Sequence, residues 1–162
     1  MANDTQIKAV VVTVSDTREE KTDVSGVTLV GLLLGANAEI VEKLIVTDDL
    51  ESLIETLKTQ SGRPEVNLLV TTGGTGLAPR DHTPEATRAV IEREAPGIAE
   101  AMRLETMKKT PTAILSRAVA GTRGRCLIIN FPGSPKGVQE CFEVIRPIIN
   151  HAVNMIAGNS GH

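Results

Sequence analysis

Aromatic residues are scarce in this sequence. Phe131 and Phe142 are the only two among 162 residues, and there is neither tryptophan nor tyrosine. The core must therefore be aliphatic. Sequence-independent binding of single-stranded nucleic acid relies on aromatic side chains that stack on bases, so the scarcity argues against that function. A net charge of -3 likewise argues against a general binder of the phosphate backbone, and we expect no nucleic-acid partner.

Long apolar runs and cysteine clusters are also missing. No run approaches the length that spans a bilayer, because Lys8 and Asp16 bound the first one. Residues 1–6 are polar and lack a signal-peptide pattern. Cys126 and Cys141 have neither a CxxC partner nor a neighbouring histidine, so we expect reduced, buried thiols. These absences predict a cytoplasmic protein with no membrane partner.

Apolar runs of strand length alternate with segments of helical spacing. Strands are predicted over Lys8–Val14, Ala38–Val46, Leu68–Thr72 and Cys126–Phe131. Helices are predicted over Val24–Leu34, from Leu50 to Gly62, over Thr83–Glu94 and Ile98–Lys108, and from Ser134 onward, with Pro147 kinking or ending the last one before Ile148–Ile156. Residues 112–125 are predicted as an extended pair that turns at Gly121 and Gly124. The alternation predicts a single α/β domain with a mostly parallel sheet.

Three predicted strands end in sequences that suit a binding site. Ser15 and Asp16 follow the first strand, Gly73–Gly76 follow the third, and Asn130–Lys136 include the end of the last. Ligands of parallel sheets bind beyond the carboxyl ends of the strands. If these strands are parallel, the three segments meet on one rim.

The glycine segment has a structural and a functional interpretation. It could be only a tight turn, and it lacks the GK[ST] ending of a P-loop. Glycines at a strand end, however, leave amide N–H groups free to bind oxyanions. Arg80 and Asp81, which follow the segment after three intervening residues, add an anion-binding cation and a candidate metal ligand. We therefore favour a site for a phosphate-bearing substrate.

Helix starts near these segments leave further alternatives open. Ser134 and Pro135 predict an N-cap and first helical residue, and a helix N-terminus beside Lys136 also suits an anion. Thr83 is predicted to cap the helix after the glycine segment, which leaves Asp81 as an ion-pair partner or a ligand. Asp48 precedes Glu51 by three residues, so local pattern favours an N-cap over a functional role.

Four segments together resemble the molybdopterin adenylyltransferase family, the MoaB/Mog group of molybdenum cofactor biosynthesis, which is related to gephyrin-type G domains. They are TTGGTG-x3-RD-x-TPEAT from Thr71, PGIAEAMR, ILSRAVAG and NFPGSPKG. The similarity extends from Val10 to about Ile149. It implies a three-layer α/β/α domain spanning residues 1–162, with a mixed, mostly parallel sheet and assembly as a homotrimer.

The resemblance also implies a reaction and a set of site residues. Family members transfer AMP from Mg-ATP to the terminal phosphate of molybdopterin, release pyrophosphate, and hand the product to the molybdate-insertion enzyme. Asp48 and Asp81 fall on the two functional aspartates, implying catalytic and Mg²⁺-binding roles in place of a mere cap at Asp48. Substrate binding is implied for Ser15, Asp16, Thr72, Gly73, Gly74, Thr75, Gly76, Arg80, Thr83, Asn130, Pro132, Gly133, Ser134, Pro135 and Lys136.

Two rival functions remain open at this point. One is a non-catalytic molybdopterin-binding or scaffold protein of the same fold, and the other is a generic nucleotide-binding α/β domain. Some MoaB-type members lack the arginine before the second aspartate and are poor or inactive adenylyltransferases. This chain has Arg80 before Asp81, so the resemblance favours an active enzyme. The sequence leaves open the MoaB or Mog subgroup and a molybdenum or tungsten pathway.

Overall fold

The valine-rich strand β1, Lys8–Val14, lies inside the sheet of a computed structural model that describes residues 4–159. It pairs in parallel with β2, Glu39–Val46, on one side and with β3, Leu68–Thr72, on the other. β3 in turn pairs in parallel with β6, Cys126–Phe131. All four predicted strands are therefore confirmed, with one residue of difference at the start of β2.

Two short strands extend the sheet with the opposite direction. β5, Ala120–Arg123, pairs antiparallel with β6, and β4, Arg93–Glu94, pairs antiparallel with β5. The order is β2-β1-β3-β6-β5-β4. The predicted mixed, mostly parallel sheet is thus confirmed.

Alternate side chains of β1 pack into two separate hydrophobic cores, one on each face of the sheet. Val11 belongs to the first core, with Leu29 of helix α1, Val24–Gly35, and Phe142 of helix α5, Pro135–Ile156. Val10 and Val12 belong to the second core, which is covered by helices α2, Leu50–Ser61, and α3, Thr83–Val90. Helix α4, Pro96–Thr106, joins the first core through Met102. Because successive side chains of a strand point to opposite faces, this arrangement gives three layers.

Helix α3 is shorter than predicted, since it ends at Val90 and not at Glu94. The Glu92 amide donates to Thr122 O at 2.8 Å, and the Ala95 amide donates to Ala120 O at 2.9 Å. These sheet-edge bonds replace helical ones. Pro96 also disfavours helical backbone at the residue before it.

Two other predicted elements differ in the structure. Of the two outcomes predicted at Pro147, a kink or a helix end, the helix end is wrong: α5 continues past this exposed residue, and Ile145 and Ile149 anchor it to the core on both sides. The first part of the predicted extended pair is instead a short 3-10 helix, Pro111–Leu115. Within residues 4–159, no helix combines the length and the apolar character needed to cross a membrane.

A buried ion pair ties the start of α1 to the sheet. The Asp23 carboxylate accepts from Thr13 Oγ1 of β1 at 2.7 Å and from the Gly26 amide at 3.0 Å, and it lies 2.6 Å from Lys43 Nζ of β2. Burial alone would raise the pKa of Asp23, but Lys43, Thr13 and Gly26 together hold it below its ordinary value. The folded state therefore favours the ionised carboxylate.

Substituting Lys43→Met should lower the free energy of unfolding at pH 7 by about 3–5 kcal/mol, because it leaves Asp23 charged and buried. The loss should shrink as the pH falls through the Asp23 titration. The wild type then loses the contribution of its depressed pKa, while the variant relieves its unpaired charge by protonation. Urea denaturation between pH 3 and pH 7 measures both effects. The double variant Lys43→Met/Asp23→Asn is the control and should recover most of the loss, since asparagine also caps a helix. A pH-independent deficit would contradict this account.

Candidate functional site

The three predicted rim segments come together at the carboxyl ends of β1, β3 and β6. The Gly73 amide donates to Phe131 O at 3.1 Å, and Thr72 Oγ1 donates to Pro132 O at 2.7 Å. Arg80 Nε lies 2.8 Å from Asp16 Oδ2. Hydrogen bonds thus join the glycine segment to the segment at the end of β6, and the ion pair joins Asp16 to the residues that follow the glycine segment, all on one edge of the sheet.

The glycine segment needs its first two glycines. Gly73 and Gly74 have φ angles of 101° and 68°, a region that side chains rarely adopt. A Cβ on Gly73 would overlap the Val14 carbonyl oxygen, and a Cβ on Gly74 would overlap Thr83 Oγ1 and lie 2.9 Å from Asp48 Oδ2. The backbone therefore passes very close to the end of β1 and to one predicted catalytic carboxylate.

A cavity of about 540 Å³ opens beside this segment. Eight of the predicted site residues line it: Gly74, Thr75, Gly76, Asp81, Pro132, Gly133, Ser134 and Lys136. The opposite wall was not predicted. It comes from helix α4, from the 3-10 helix and the residues beside it, and from α5, including Met102, Arg103, Thr106, Ser116, Glu140 and Cys141. Two segments of the family resemblance, PGIAEAMR and ILSRAVAG, contain part of this wall and were the available signal.

Three predicted substrate-binding residues are buried behind the cavity. Thr72, Thr83 and Asn130 have no solvent exposure. The Asn130 side chain accepts from the Val119 amide at 3.0 Å and donates to Thr71 and Thr87 at 3.0 and 2.9 Å. Its hydrogen-bonding groups are used inside the protein, so these three residues shape the rim from within.

Thr83 is not an N-cap as predicted. It lies within the first turn of α3, and its Oγ1 donates to Gly73 O at 2.9 Å. The preceding residue, His82, occupies the cap position and makes no side-chain cap bond. The hydroxyl therefore fixes the glycine segment to α3.

The predicted cap at Asp48 belongs to its neighbour. Asp49 caps α2 by accepting from the Ser52 amide at 3.0 Å. Asp48 is buried, and its Oδ1 accepts from the His82 amide at 3.1 Å. Burial raises the pKa of Asp48, against the opposing effect of His82, and the nearby charge of Asp81 raises it further. Asp48 is thus free of a capping role.

Asp81 is more exposed than Asp48 and follows the glycine segment. It is half-buried and lines the cavity, and its Oδ2 accepts from the Ala78 amide at 3.0 Å. A Cβ on Gly76 would lie 2.8 Å from this oxygen. The carboxylate of Asp48 lies against Gly74 and that of Asp81 lies against Gly76, so both face the same short stretch of backbone.

Arg80 and Lys136, the two predicted cationic side chains near the rim, differ in how closely an acidic side chain pairs with them. Arg80 is held by Asp16, which lowers the pKa of Asp16, and it lies outside the cavity lining. Lys136 lines the cavity with a side chain that is 75% exposed, 3.8 Å from Glu140. Its ammonium group therefore remains available to an anion at the cavity mouth.

The start of α5 has the predicted geometry. Ser134 caps the helix by accepting from the Gly137 amide at 3.0 Å, and Pro135 is the first helical residue. Ser15 accepts from the amides of Thr17 and Arg18 and so closes a turn at the end of β1.

Arg18 was not predicted. It donates to Gly133 O at 2.9 Å, and Ser25 Oγ donates to the same oxygen at 2.6 Å. These two bonds connect the segment after β6 to the start of α1.

The donor set does not form a closed metal cage. Across the part of the chain that the structure describes, no group of three or more histidine, cysteine, aspartate or glutamate side chains could hold a metal ion. Asp48 and Asp81 supply two carboxylates, a set that suits Mg²⁺, which keeps several waters and takes its other ligands from substrate phosphates.

Comparison with known proteins matches residues 10–151 to a family described as a probable molybdopterin binding domain. Molybdenum cofactor synthesis protein cinnamon of Drosophila melanogaster is 43% identical over 151 residues, which cover 90% of this chain and 25% of that protein. Molybdopterin adenylyltransferase of Helicobacter pylori strain J99 is 47% identical over 115 residues, which cover 71% of this chain and 65% of that enzyme. The chain thus spans a quarter and about two thirds of these two relatives.

Solved structures share the fold over nearly full length. The molybdopterin biosynthesis enzyme MoaB from Thermus thermophilus superposes with a TM-score of 0.87 at 42% identity, covering 94% of this chain and 98% of that one. A molybdenum cofactor biosynthesis protein B gives 0.90 at 34% identity, with 96% and 98% covered.

Substituting Gly74→Ala should lower the free energy of unfolding by at least about 2 kcal/mol, because alanine resists the positive φ and its methyl group meets Thr83 and Asp48. Gly31→Ala is the matched control, since its Cβ meets nothing within 4 Å in an exposed part of α1. That change should raise the unfolding free energy by about 1 kcal/mol. Equal effects of both variants in urea denaturation would contradict the packing described for Gly74.

Proposed function

Because this chain belongs to the family of probable molybdopterin binding domains, we propose that it transfers AMP from ATP to the terminal phosphate of molybdopterin and releases pyrophosphate. The observation that carries the proposal is the pair of carboxylates, Asp48 and Asp81, packed against one glycine segment beside a large cavity. Relatives from Helicobacter pylori and Haemophilus influenzae, 47% and 44% identical, are named molybdopterin adenylyltransferase.

The reaction brings two anions together, so the main task of the site is to neutralise charge. A phosphate oxygen of molybdopterin attacks the α-phosphorus of ATP in line, and pyrophosphate leaves. The amides of Gly74, Thr75 and Gly76, the N-terminus of α5 and the Lys136 ammonium are preorganised donors for the phosphates, whereas the Gly73 amide is already bonded to Phe131 O. Because the attacking phosphate is already ionised, the reaction needs no general base.

The carboxylates would hold Mg²⁺ together with substrate phosphates and water. Such an ion, when bound, stabilises negative charge on the phosphates and orients the leaving group. Burial raises the pKa of Asp48, and the charge of Asp81 adds to that effect. Two carboxylates placed in this way favour a nearby cation, because its positive charge would offset both the burial of Asp48 and the repulsion between the two carboxylates. The residues present are therefore compatible with the group that the family resemblance implies.

Assembly and downstream steps rest on the resemblance. We propose that the chain acts as a single-domain protomer of a homotrimer and that its adenylylated product passes to the molybdate-insertion enzyme. Sedimentation of the purified protein, and transfer assays with that enzyme added, address these two points separately.

Substituting Asp81→Asn should reduce AMP transfer by roughly 10²-fold or more, the scale of losing one preorganised electrostatic element. The fold should persist, because an asparagine oxygen can still accept from the Ala78 amide. The assay incubates protein, Mg²⁺, α-labelled ATP and molybdopterin, and it measures labelled AMP on the pterin. Asp49→Asn is the matched control and should keep full activity, since it preserves the cap of α2.

The wild type distinguishes the proposed enzyme from its rivals. Label on the pterin that requires both pterin and metal supports the adenylyltransferase. Tight pterin binding without label would favour a binding or scaffold protein, and turnover of ATP without any pterin requirement would favour a generic nucleotide-binding domain. An Asp81→Asn variant with near wild-type transfer would overturn the role given to that carboxylate.

Substituting Lys136→Ala should weaken molybdopterin binding by roughly tenfold, the scale of one lost charge-assisted hydrogen bond. Fluorescence titration of the pterin measures the dissociation constant. Lys108→Ala removes a lysine that is 67% exposed, is paired with Glu105 and does not line the cavity, so it should leave the affinity unchanged. Equal affinities for the Lys136 variant and the wild type would count against phosphate contact by this side chain.

A further inference from the structure

Arg117 makes two hydrogen bonds to the glycine segment and two further contacts beside it. Its amide donates to Thr75 O at 2.8 Å, and its Nε donates to Gly76 O at 2.8 Å. Its Nη2 donates to Asp81 O at 2.8 Å, and its Nη1 pairs with Glu85 of α3. One planar guanidinium group therefore binds the glycine segment, the main chain of Asp81 and helix α3 at once.

These contacts control how Asp81 meets the glycine segment. The Asp81 carboxylate lies against Gly76, where an added Cβ would be only 2.8 Å from Oδ2. The two carbonyls that Arg117 bridges belong to these same two residues. Between them, the turn at residues 78–81 is closed by the Asp81 amide, which donates to Ala78 O at 2.9 Å. Arg117 thus fixes this turn relative to the glycine backbone.

Arg117 does not line the 540 Å³ cavity with Asp81. It lines a smaller neighbouring space of about 320 Å³, which shares Arg103, Ser116 and Ala118 with the larger cavity, and its side chain is 34% exposed. Its guanidinium faces carbonyls and Glu85, whose pKa it lowers. It is therefore placed to act on the reaction through other residues and not by touching the substrate.

We propose that Arg117 is a positioning residue that sets the Asp81 carboxylate in register with the glycine segment. Lysine is a poor substitute, because a single ammonium group cannot reach two carbonyls and a carboxylate with the fixed fork of a guanidinium. The inference rests on the proposed function for its effect on rate, but its effect on the backbone of residues 74–81 is independent of any reaction.

The test compares Arg117→Ala and Arg117→Lys with the wild type and with Arg88→Ala. Arg88 lines the same small space and pairs with Glu94 on the surface, so its loss should leave transfer and backbone protection unchanged. Arg117→Ala should lower kcat for AMP transfer by roughly 10²-fold, the scale of a misplacement of about 1 Å, with little change in pterin affinity. Arg117→Lys should recover only part of this loss.

Two readouts separate positioning from general stability. Millimolar guanidinium chloride should restore part of the kcat of Arg117→Ala, because the space is open to solvent, whereas an equal concentration of sodium chloride should not. Amide hydrogen exchange of residues 74–81 should be faster in Arg117→Ala, slower again with guanidinium, and unchanged elsewhere in the sheet.

The outcomes distinguish this inference from the proposed function. If the wild type transfers no AMP, the proposed function fails, and exchange in residues 74–81 still decides the role of Arg117. Unchanged exchange in Arg117→Ala would overturn the inference whatever the activity. Loss of protection throughout the sheet, without guanidinium rescue, would overturn it in favour of a purely structural role.

Discussion

The close approach of Gly73 to two neighbouring strand ends is the constraint on which the rest of the site depends. Its amide bonds to Phe131 O on one side, and on the other side its Cα faces the Val14 carbonyl with no room for a Cβ. Its own carbonyl accepts from Thr83 Oγ1. The chain must therefore turn with positive φ at this point, and the turn carries Gly74 to Asp48 and Gly76 to Asp81. The neighbouring parallel strands leave no room for a side chain directly after β3, so a glycine is needed there. That glycine sets the path of the backbone that forms the site.

The sheet could be predicted because its signals are local. Runs such as Lys8–Val14 and Cys126–Phe131 are buried on both faces, which makes them almost continuously apolar and easy to recognise. The errors arose where a distant partner decided the outcome. Helix α3 stops at Val90 because the next residues pair with β5, and α5 continues past Pro147 because the core holds it on both sides. Neither the pairing with β5 nor the packing on both sides of Pro147 can be recognised from the local sequence of these helices.

The same distinction explains the site. The three rim segments were predicted because each directly follows or ends a strand, and their convergence requires only that the strands be parallel. Local capping patterns pointed to the wrong role at Thr83 and Asp48, and only the family resemblance replaced the cap at Asp48. A threonine or aspartate before a helix looks the same whether it caps the helix or bonds across the fold. Arg117 and the α4 wall of the cavity lie far from the glycine segment in sequence. Only the folded chain brings the Arg117 guanidinium to Gly76 O.

The two carboxylates show why such a site is held by its surroundings and does not stabilise itself. Burial raises the pKa of Asp48 in the folded state, so this group favours folding at low pH, and that contribution is lost as the pH rises through the folded-state pKa. At neutral pH its ionised form opposes folding, and the charge of Asp81 adds to the cost. His82 opposes this effect, because its amide donates to Asp48 Oδ1 and stabilises the ionised carboxylate. A protein that needed Asp48 only as a cap would have no reason to bury it, because Asp49 already performs that role at the surface. A cation held by both Asp48 and Asp81 would remove this cost, which is the physical argument for the metal site proposed above.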